Sequence, residues 1–206
     1  KLKPEHISAY SLIIEKGTPF YELYRFDAVR QEAGMQTESL PTEEEEYQTT
    51  KMTQHILKEA GYHWYEVSNF AKPGYECRHN IGYWKRVDYL GVGLGASSLI
   101  DNVRYSNTRD LYTYLSVPAD SLHETAEQIT RNEQMEEFMF LGLRLMEGVS
   151  KKHFFKTFGR KFTDVYPGIS EKLIREGLLV QEGDRLKLTE LGLDVSNRVM
   201  AEFLFD

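Results

Sequence analysis

The fold class of this chain is indicated first by residues 6–15, which read HISAYSLIIE. Their nearly continuous apolar character is typical of a strand that is covered on both faces, as in a parallel sheet. A helix follows in which Thr42 and Glu45 have the spacing of a capping box and Gly61 marks the end. Residues 62–70 then indicate a second strand. A strand, a helix and a strand in this order predict a crossover unit with two parallel strands.

The segment after this unit is expected to extend the sheet. Residues 71–88 are predicted to form a polar loop, and residues 89–97 (YLGVGLGAS) a third strand. Residues 98–105 resemble a hairpin that turns at residues 101–102, with a plain loop as the equal alternative. In the helix predicted to begin at Thr42, Met52 and Ile56 are expected to lie on a buried apolar stripe.

A change of composition near Pro118 indicates a domain boundary. We therefore predict an α/β domain over residues 1–120 and a mostly helical domain over residues 121–206. In the second domain, short helices precede a two-stranded hairpin over residues 178–188, which is typical of a winged-helix-like module. Winged helices often bind DNA, but residues 151–206 hold 10 Lys and Arg against 9 Asp and Glu, too small an excess for an operator-binding face.

The overall composition argues against several other classes of protein. The formal net charge is −7 and charged residues make up 28% of the chain, which disfavours a general nucleic-acid binder. No run of about 18 apolar residues occurs, so no membrane span is predicted. The chain opens without a signal peptide, which predicts a cytoplasmic location, and without methionine, which predicts a piece of a longer protein. The single cysteine, Cys77, excludes an internal disulfide.

The densest group of chemically active side chains lies in residues 77–84, which read CRHNIGYW. A neutral imidazole such as that of His79 binds iron or zinc well, and a neighbouring amide or phenol, here Asn80 or Tyr83, can fix its orientation. The alternative is a solvent-facing loop that Tyr83 and Trp84 anchor to the core.

Two further features are candidates for contact with a cofactor. Alternating glycines in residues 91–96 (GVGLGA) allow a close approach of a cofactor or of another backbone, although their spacing does not match a dinucleotide fingerprint. Glu15, near the end of the first strand, is placed where a carboxylate can bind a ribose or an ammonium group. Tight packing of the sheet and an ordinary surface carboxylate are the respective alternatives.

Taken together, several segments resemble one protein family. These segments are residues 6–12 (HISAYSL), 65–74 (YEVSNFAKPG), 77–84 (CRHNIGYW), 88–97 (DYLGVGLGAS) and 104–107 (RYSN). They resemble the HemW branch of the oxygen-independent coproporphyrinogen III oxidase-like radical SAM proteins. The resemblance covers essentially the whole chain in the order of the family.

The resemblance implies the C-terminal portion of such a protein. Residues 1–120 would form the last strands and helices of a partial (β/α) barrel, and residues 121–206 the winged-helix-like C-terminal domain. Family members bind a [4Fe–4S] cluster through a Cys-x3-Cys-x2-Cys loop, beside a segment that binds S-adenosylmethionine. This chain contains neither motif. The resemblance therefore implies that this portion alone is inactive as a radical enzyme.

The function implied by the resemblance is that of a haem-binding chaperone that delivers haem to respiratory proteins. The family's His-Asn-x-x-Tyr motif matches His79, Asn80 and Tyr83, which are thereby implied to bind haem, with His79 as the metal ligand. The resemblance also implies a lining of the S-adenosylmethionine pocket by Glu15, Gly93, Gly95, Ala96 and Ser97. The alternative is part of an oxygen-independent coproporphyrinogen III oxidase, which performs an oxidative decarboxylation in porphyrin biosynthesis. An isolated half-barrel exposes strand edges, so self-association is also expected.

Overall fold

The structure, a computed structural model, describes residues 2–205. Its contacts divide the chain into two compact units, Lys1–Glu76 and Cys77–Asp206. Both units combine helices with small sheets, so the predicted α/β class is confirmed. No helix within residues 2–205 is long and apolar enough to cross a membrane.

The first unit is a three-stranded sheet with two helices. Its elements are β1 (His6–Ser8), α1 (Pro19–Glu32), α2 (Glu43–Glu59), β2 (His63–Glu66) and β3 (Asn69–Ala71). The strand order is β1-β3-β2, and both pairings are antiparallel. The predicted crossover is therefore only partly right: β1 and β2 run in the same direction, but β3 lies between them in the opposite direction. Residues 62–70, predicted as one strand, fold back at residues 67–68.

The helix starts in this unit follow their local sequence. Thr42 and Glu45 form the predicted capping box at α2, and Gly61 has a positive φ of 82° just past its end. The buried stripe predicted for this helix is wrong, because Met52 is 61% and Ile56 56% exposed. No element within residues 2–205 covers that face of α2 sufficiently to bury any of its residues.

The first strand is shorter than predicted because the chain leaves the sheet after Ser8. Leu12 and Ile13 are exposed rather than covered. Farther along, the buried carboxylate of Asp27 accepts hydrogen bonds from the backbone N–H groups of Ser39, Glu38 and Leu40. These bonds lower the pKa of Asp27 and fix the loop that leads into α2.

The second unit begins with a helix and a three-stranded sheet. These elements are α3 (Arg78–Trp84), β4 (Ser97–Ile100), β5 (Val103–Asn107), α4 (Leu111–Ser116), a 3₁₀ turn (Ala119–Ser121) and β6 (His123–Gln128). The predicted hairpin is confirmed, with positive φ angles of 50° at Asp101 and 60° at Asn102. The predicted strand over residues 89–97 is wrong: Tyr89 forms a single bridge with Leu99, and the strand begins only at Ser97.

The rest of this unit is mostly helical. It comprises α5 (Arg131–Gly142), β7 (Val149–Ser150), α6 (Lys151–Phe158), α7 (Phe162–Val165), α8 (Ile169–Arg175), β8 (Leu179–Glu182), β9 (Arg185–Leu188), α9 (Glu190–Asp194) and α10 (Ser196–Ala201). The predicted hairpin is confirmed as β8–β9, and β7 adds a third strand. The main core of the unit includes Met139, Phe154, Leu173 and Phe203, each 0% exposed.

The boundary between the compact units differs from the domain division drawn from the sequence. The units meet between Glu76 and Cys77. Strand β6 pairs with β5 although the two lie on opposite sides of residue 120. The division into residues 1–120 and 121–206 stays a prediction about domain identity.

Candidate functional site

The segment with the His-Asn-x-x-Tyr sequence forms the short helix α3 rather than the predicted loop. The amide of Ile81 donates to the carbonyl of Cys77 and that of Lys85 to the carbonyl of Ile81, each at 3.0 Å. A residue with positive φ, Arg86 at 53°, follows and ends the helix. Because the segment is helical, side chains four positions apart lie on one face.

This spacing brings His79 and Tyr83 into contact. Their ring centroids are 4.4 Å apart at an interplanar angle of 70°. Tyr83 in turn contacts Tyr89 edge to face, with centroids 4.6 Å apart at 88°. The His79 side chain is exposed and Asn80 is half-buried. The imidazole is therefore held by an aromatic neighbour and remains accessible to a ligand.

Sequence reasoning did not single out Tyr89 as a neighbour of this site. Its contact with Tyr83 depends on the bridge to Leu99, a tertiary feature that no local pattern shows. The sequence did contain one indication of a helix here, namely the four-residue spacing of His79 and Tyr83, which places both side chains on one helical face.

Trp84 has a different role from its neighbour Tyr83. The Arg144 guanidinium carbon lies 4.5 Å from the centre of the Trp84 ring, a cation–π contact. The indole nitrogen is buried, without a hydrogen-bond partner within residues 2–205. The buried indole and its contact with Arg144 agree with the alternative considered above, in which Trp84 anchors this segment to the core.

A cavity of about 320 Å³ lies next to Tyr83. Its lining consists of Tyr83, Arg86, Tyr89, Leu99, Arg104, Glu137 and Leu141. The buried carboxylate of Glu137 accepts from Arg86 Nε at 2.6 Å and from Arg104 Nη2 at 2.7 Å. Burial opposes the charge of Arg104, but the hydrogen bond and charge of Glu137 outweigh it and raise the pKa of Arg104. This network fixes the segment after α3 against α5 and β5.

The glycine-rich segment is packed against its own backbone. A Cβ atom at Gly91 would overlap the carbonyl oxygen of Ser97, and the Gly91 amide donates to Ser98 Oγ at 2.9 Å. Gly93 and Gly95 have φ angles of 117° and 67°, and Asn107 Nδ2 donates to the Gly93 carbonyl at 2.9 Å. Close packing therefore accounts for Gly91, and positive φ angles account for Gly93 and Gly95.

The remaining residues predicted to contact a cofactor lie near the start of β4 and shortly before α1. Ser97 Oγ lies 2.9 Å from Ser106 Oγ at the start of β4, and Ala96 is half-buried beside it. The Glu15 side chain is exposed, and its carbonyl accepts from Thr18 Oγ at 2.7 Å just before α1. Glu15 belongs to the first compact unit and the glycine-rich segment to the second.

The ligand chemistry of this site suits a metal that brings most of its own ligands. Among residues 2–205 no three His, Cys, Asp or Glu side chains are grouped to hold a metal ion. A haem iron needs only one or two protein ligands, since the porphyrin supplies four. His79 fits that requirement, whereas a bare metal ion requires more side chains than the site offers.

Comparisons with known proteins agree with these features. Residues 129–195 match the HemN C-terminal domain family. A heme chaperone HemW from Lactococcus lactis subsp. lactis (strain IL1403) is 35% identical over 206 residues, which are 100% of this chain and 52% of that protein.

The chain is a C-terminal HemW/HemN-like segment.

A second heme chaperone HemW, from Bacillus subtilis (strain 168), is 35% identical over 205 residues, 98% of this chain and 52% of that protein. The structure of coproporphyrinogen III oxidase (HemN) from Escherichia coli, described as a radical SAM enzyme, superposes on this chain with a TM-score of 0.69 at 16% identity. The superposed region comprises 98% of this chain and 48% of the Escherichia coli protein. At 16% identity, this likeness shows the fold alone. The HemW/HemN-like chain thus spans about half the length of the curated relatives it matches.

The [4Fe–4S] cluster of radical SAM proteins does not fit the residues of this HemW/HemN-like segment. A [4Fe–4S] cluster needs several cysteine thiolates. The chain has one cysteine, Cys77. The cluster therefore requires ligands outside these 206 residues.

Proposed function

We propose that this chain is the haem-binding portion of a HemW-like haem chaperone, with His79 as the iron ligand. The observation that carries the proposal is the exposed imidazole of His79, which contacts Tyr83 on α3 within a chain 35% identical to proteins named heme chaperone HemW. The resemblance of residues 77–84 to the family's haem motif supports the same assignment.

Each residue of the motif has a role in this proposal. A ring nitrogen of His79 would coordinate the iron through its lone pair, as imidazole does in many haem proteins. Tyr83, held between His79 and Tyr89, limits the rotation of the imidazole. Asn80, half-buried one residue after His79, contributes a polar group beside the iron ligand.

The resemblance supports further proposals about the full-length protein. Haem would pass from it to respiratory proteins in the cytoplasm. Its S-adenosylmethionine pocket would be lined in part by Glu15, Gly93, Gly95, Ala96 and Ser97. The exposed apolar side chains of the first unit, such as Phe26 and Leu23 (each 71% exposed), support self-association of the present chain.

The experiment is a titration of the chain with haemin, followed by the Soret band. Saturable binding is expected, and His79→Ala should weaken it at least about tenfold, because a coordinate bond is lost. His55→Ala is the matched control, since His55 is also an exposed histidine on a helix. Equal affinities of the His79→Ala and His55→Ala variants would contradict the proposal.

The alternative function is that of a coproporphyrinogen III oxidase portion, which the fold shared with the Escherichia coli enzyme favours. In that case this half would shape a substrate pocket in a radical enzyme. The distinguishing measurement is product analysis with the full-length protein under anaerobic, reducing conditions. Decarboxylated porphyrinogen would support the oxidase, and its absence together with stable haem binding would support the chaperone.

A further inference from the structure

A second cavity, lined in part by Trp84, is not used by the proposed haem site. Its volume is about 290 Å³, near the lower end of known ligand sites. The lining consists of Trp84, Lys85, Phe138, Gly142, Leu145, Glu147, Gly148, Val149, Ser150, His153 and Arg185. Most of these residues are apolar, and the polar ones include two cations.

The acceptor groups of this cavity are already engaged. Both carboxylate oxygens of Glu147 are paired, one with Lys85 Nζ at 2.7 Å and the other with Arg185 Nη2 at 3.2 Å. The hydroxyl of Ser150 donates to Asp184 and accepts from the backbone of His153. The backbone carbonyls of Glu147 and Gly148 accept from Arg185.

The positive charges of the lining, in contrast, exceed the negative ones. Lys85 and Arg185 bring two positive charges, and the one carboxylate of the lining, that of Glu147, balances only one of them. The exposed ring of His153 adds a further titratable nitrogen at the cavity, beside Phe138 at 5.5 Å. A complementary ligand must therefore bring acceptors and negative charge.

The charge of the surroundings favours the same ligand. Residues 150–163 contain five Lys and Arg and no Asp or Glu, in a chain whose net charge is −7, although none of these five cations lines the cavity and the carboxylate of Asp184 accepts from Ser150 there. Arg144, next to the cavity through its contact with Trp84, adds another cation. Attraction by these charges raises the local concentration of anions.

We propose that this cavity binds a carboxylate carried on an apolar stem. The carboxylate would pair with Lys85 and Arg185, and the stem would contact Phe138, Leu145 and Val149. In the free protein Glu147 occupies the place of that carboxylate. The site lies at the C-terminal end of α3, so its ligand contacts the helix that bears His79. The proposal does not depend on haem binding.

The probe is phenylacetate, titrated into the 206-residue chain by calorimetry, with phenylacetamide as its uncharged analogue. Saturable binding of the acid at concentrations up to about 10 mM is expected, with binding of the amide at least about tenfold weaker. Equal binding of acid and amide, or no saturable binding of the acid, would overturn the proposal.

Three variants test which charges are responsible. Lys85→Gln should weaken binding of phenylacetate about tenfold, and Glu147→Gln should strengthen it, because a competing carboxylate is removed. Lys172→Gln is the matched control: Lys172 pairs with Glu202 at 2.7 Å, as Lys85 pairs with Glu147, but lies outside the cavity. Equal weakening by Lys85→Gln and Lys172→Gln, or weaker binding by Glu147→Gln in a folded protein, would overturn the proposal.

The carboxylate could belong to a small free acid or to a porphyrin propionate, and competition distinguishes them. Displacement of phenylacetate by protoporphyrin IX but not by its dimethyl ester would assign the site to a propionate. Retention of phenylacetate in the presence of protoporphyrin IX would assign it to a separate small acid. Both outcomes support carboxylate binding.

Discussion

At the scale of single residues, the candidate haem site depends on the spacing of two aromatic rings. His79 and Tyr83 meet because residues between them complete one helical turn. In the loop that the sequence predicted, these rings would have no fixed relation. Helix α3 therefore fixes the orientation of the His79 ring relative to the Tyr83 ring.

Gly91 provides a prediction at the same scale. Gly91→Ala should lower the free energy of unfolding by about 2 kcal/mol, because the new methyl group would overlap the Ser97 backbone, which cannot move independently of β4. Denaturant unfolding measures the change. Gly82→Ala is the control: the nearest atom to its new methyl group is Val87 Cβ at 3.9 Å, so this helical substitution should be neutral or stabilising. A Gly91→Ala protein as stable as Gly82→Ala would contradict the explanation by packing.

At the scale of elements, α5 owes its start to a capping box. Thr130 Oγ accepts from the Glu133 amide at 3.3 Å, and the Glu133 carboxylate accepts from the Thr130 amide at 2.6 Å. Replacement of Thr130 by alanine should cost about 1 kcal/mol of stability. The helix carries Met135 and Met139 into the core, so this loss should appear in the unfolding of the whole second unit.

The same box predicts a dependence of stability on pH. Hydrogen bonds from the side chain and the backbone of Thr130 lower the pKa of Glu133 in the folded state. A lowered folded pKa stabilises the protein above the ordinary pKa of glutamate, about 4.3, and this contribution is lost as the pH falls through the folded value. The stability difference between wild type and Glu133→Gln should therefore shrink below about pH 4. An unchanged difference between pH 7 and pH 3 would contradict the assignment.

Elements were predictable from the sequence where their determinants are local. The capping box at Thr42 and the turn at residues 101–102 depend on neighbours within three positions, and the structure confirms both predictions. The antiparallel insertion of β3 and the exposure of Met52 depend on which segments pair or cover each other, which no local pattern contains. The motif residues were singled out by their side-chain chemistry and assigned to haem by resemblance, whereas the contact of Tyr83 with Tyr89 is visible only in the structure.

At the scale of the whole molecule, the two compact units differ in how much apolar surface they bury. The main core, from Met135 to Phe203, lies entirely in the second unit. The first unit buries few large side chains, among them Tyr65 and Phe70, and exposes the apolar residues of α1. A small domain with a limited core is only marginally stable by itself.

This difference predicts the behaviour of the separate units. Residues 77–206 expressed alone should unfold cooperatively on heating, whereas residues 1–76 alone should show no cooperative transition. Circular dichroism during a thermal scan measures both. Cooperative unfolding of residues 1–76, or its absence in residues 77–206, would contradict this account of where the core lies.

The most direct test of the central claim uses gallium(III) protoporphyrin IX, a diamagnetic substitute for haem, with nuclear magnetic resonance of the histidine side chains. The chain has six histidines. The account predicts that the ring protons of His79 alone move strongly upfield, because the ring current of the porphyrin would act on the histidine that binds its metal, and that His79→Ala abolishes this signal. A strong shift of another histidine, with His79 unaffected, would contradict the assignment of His79 as the iron ligand.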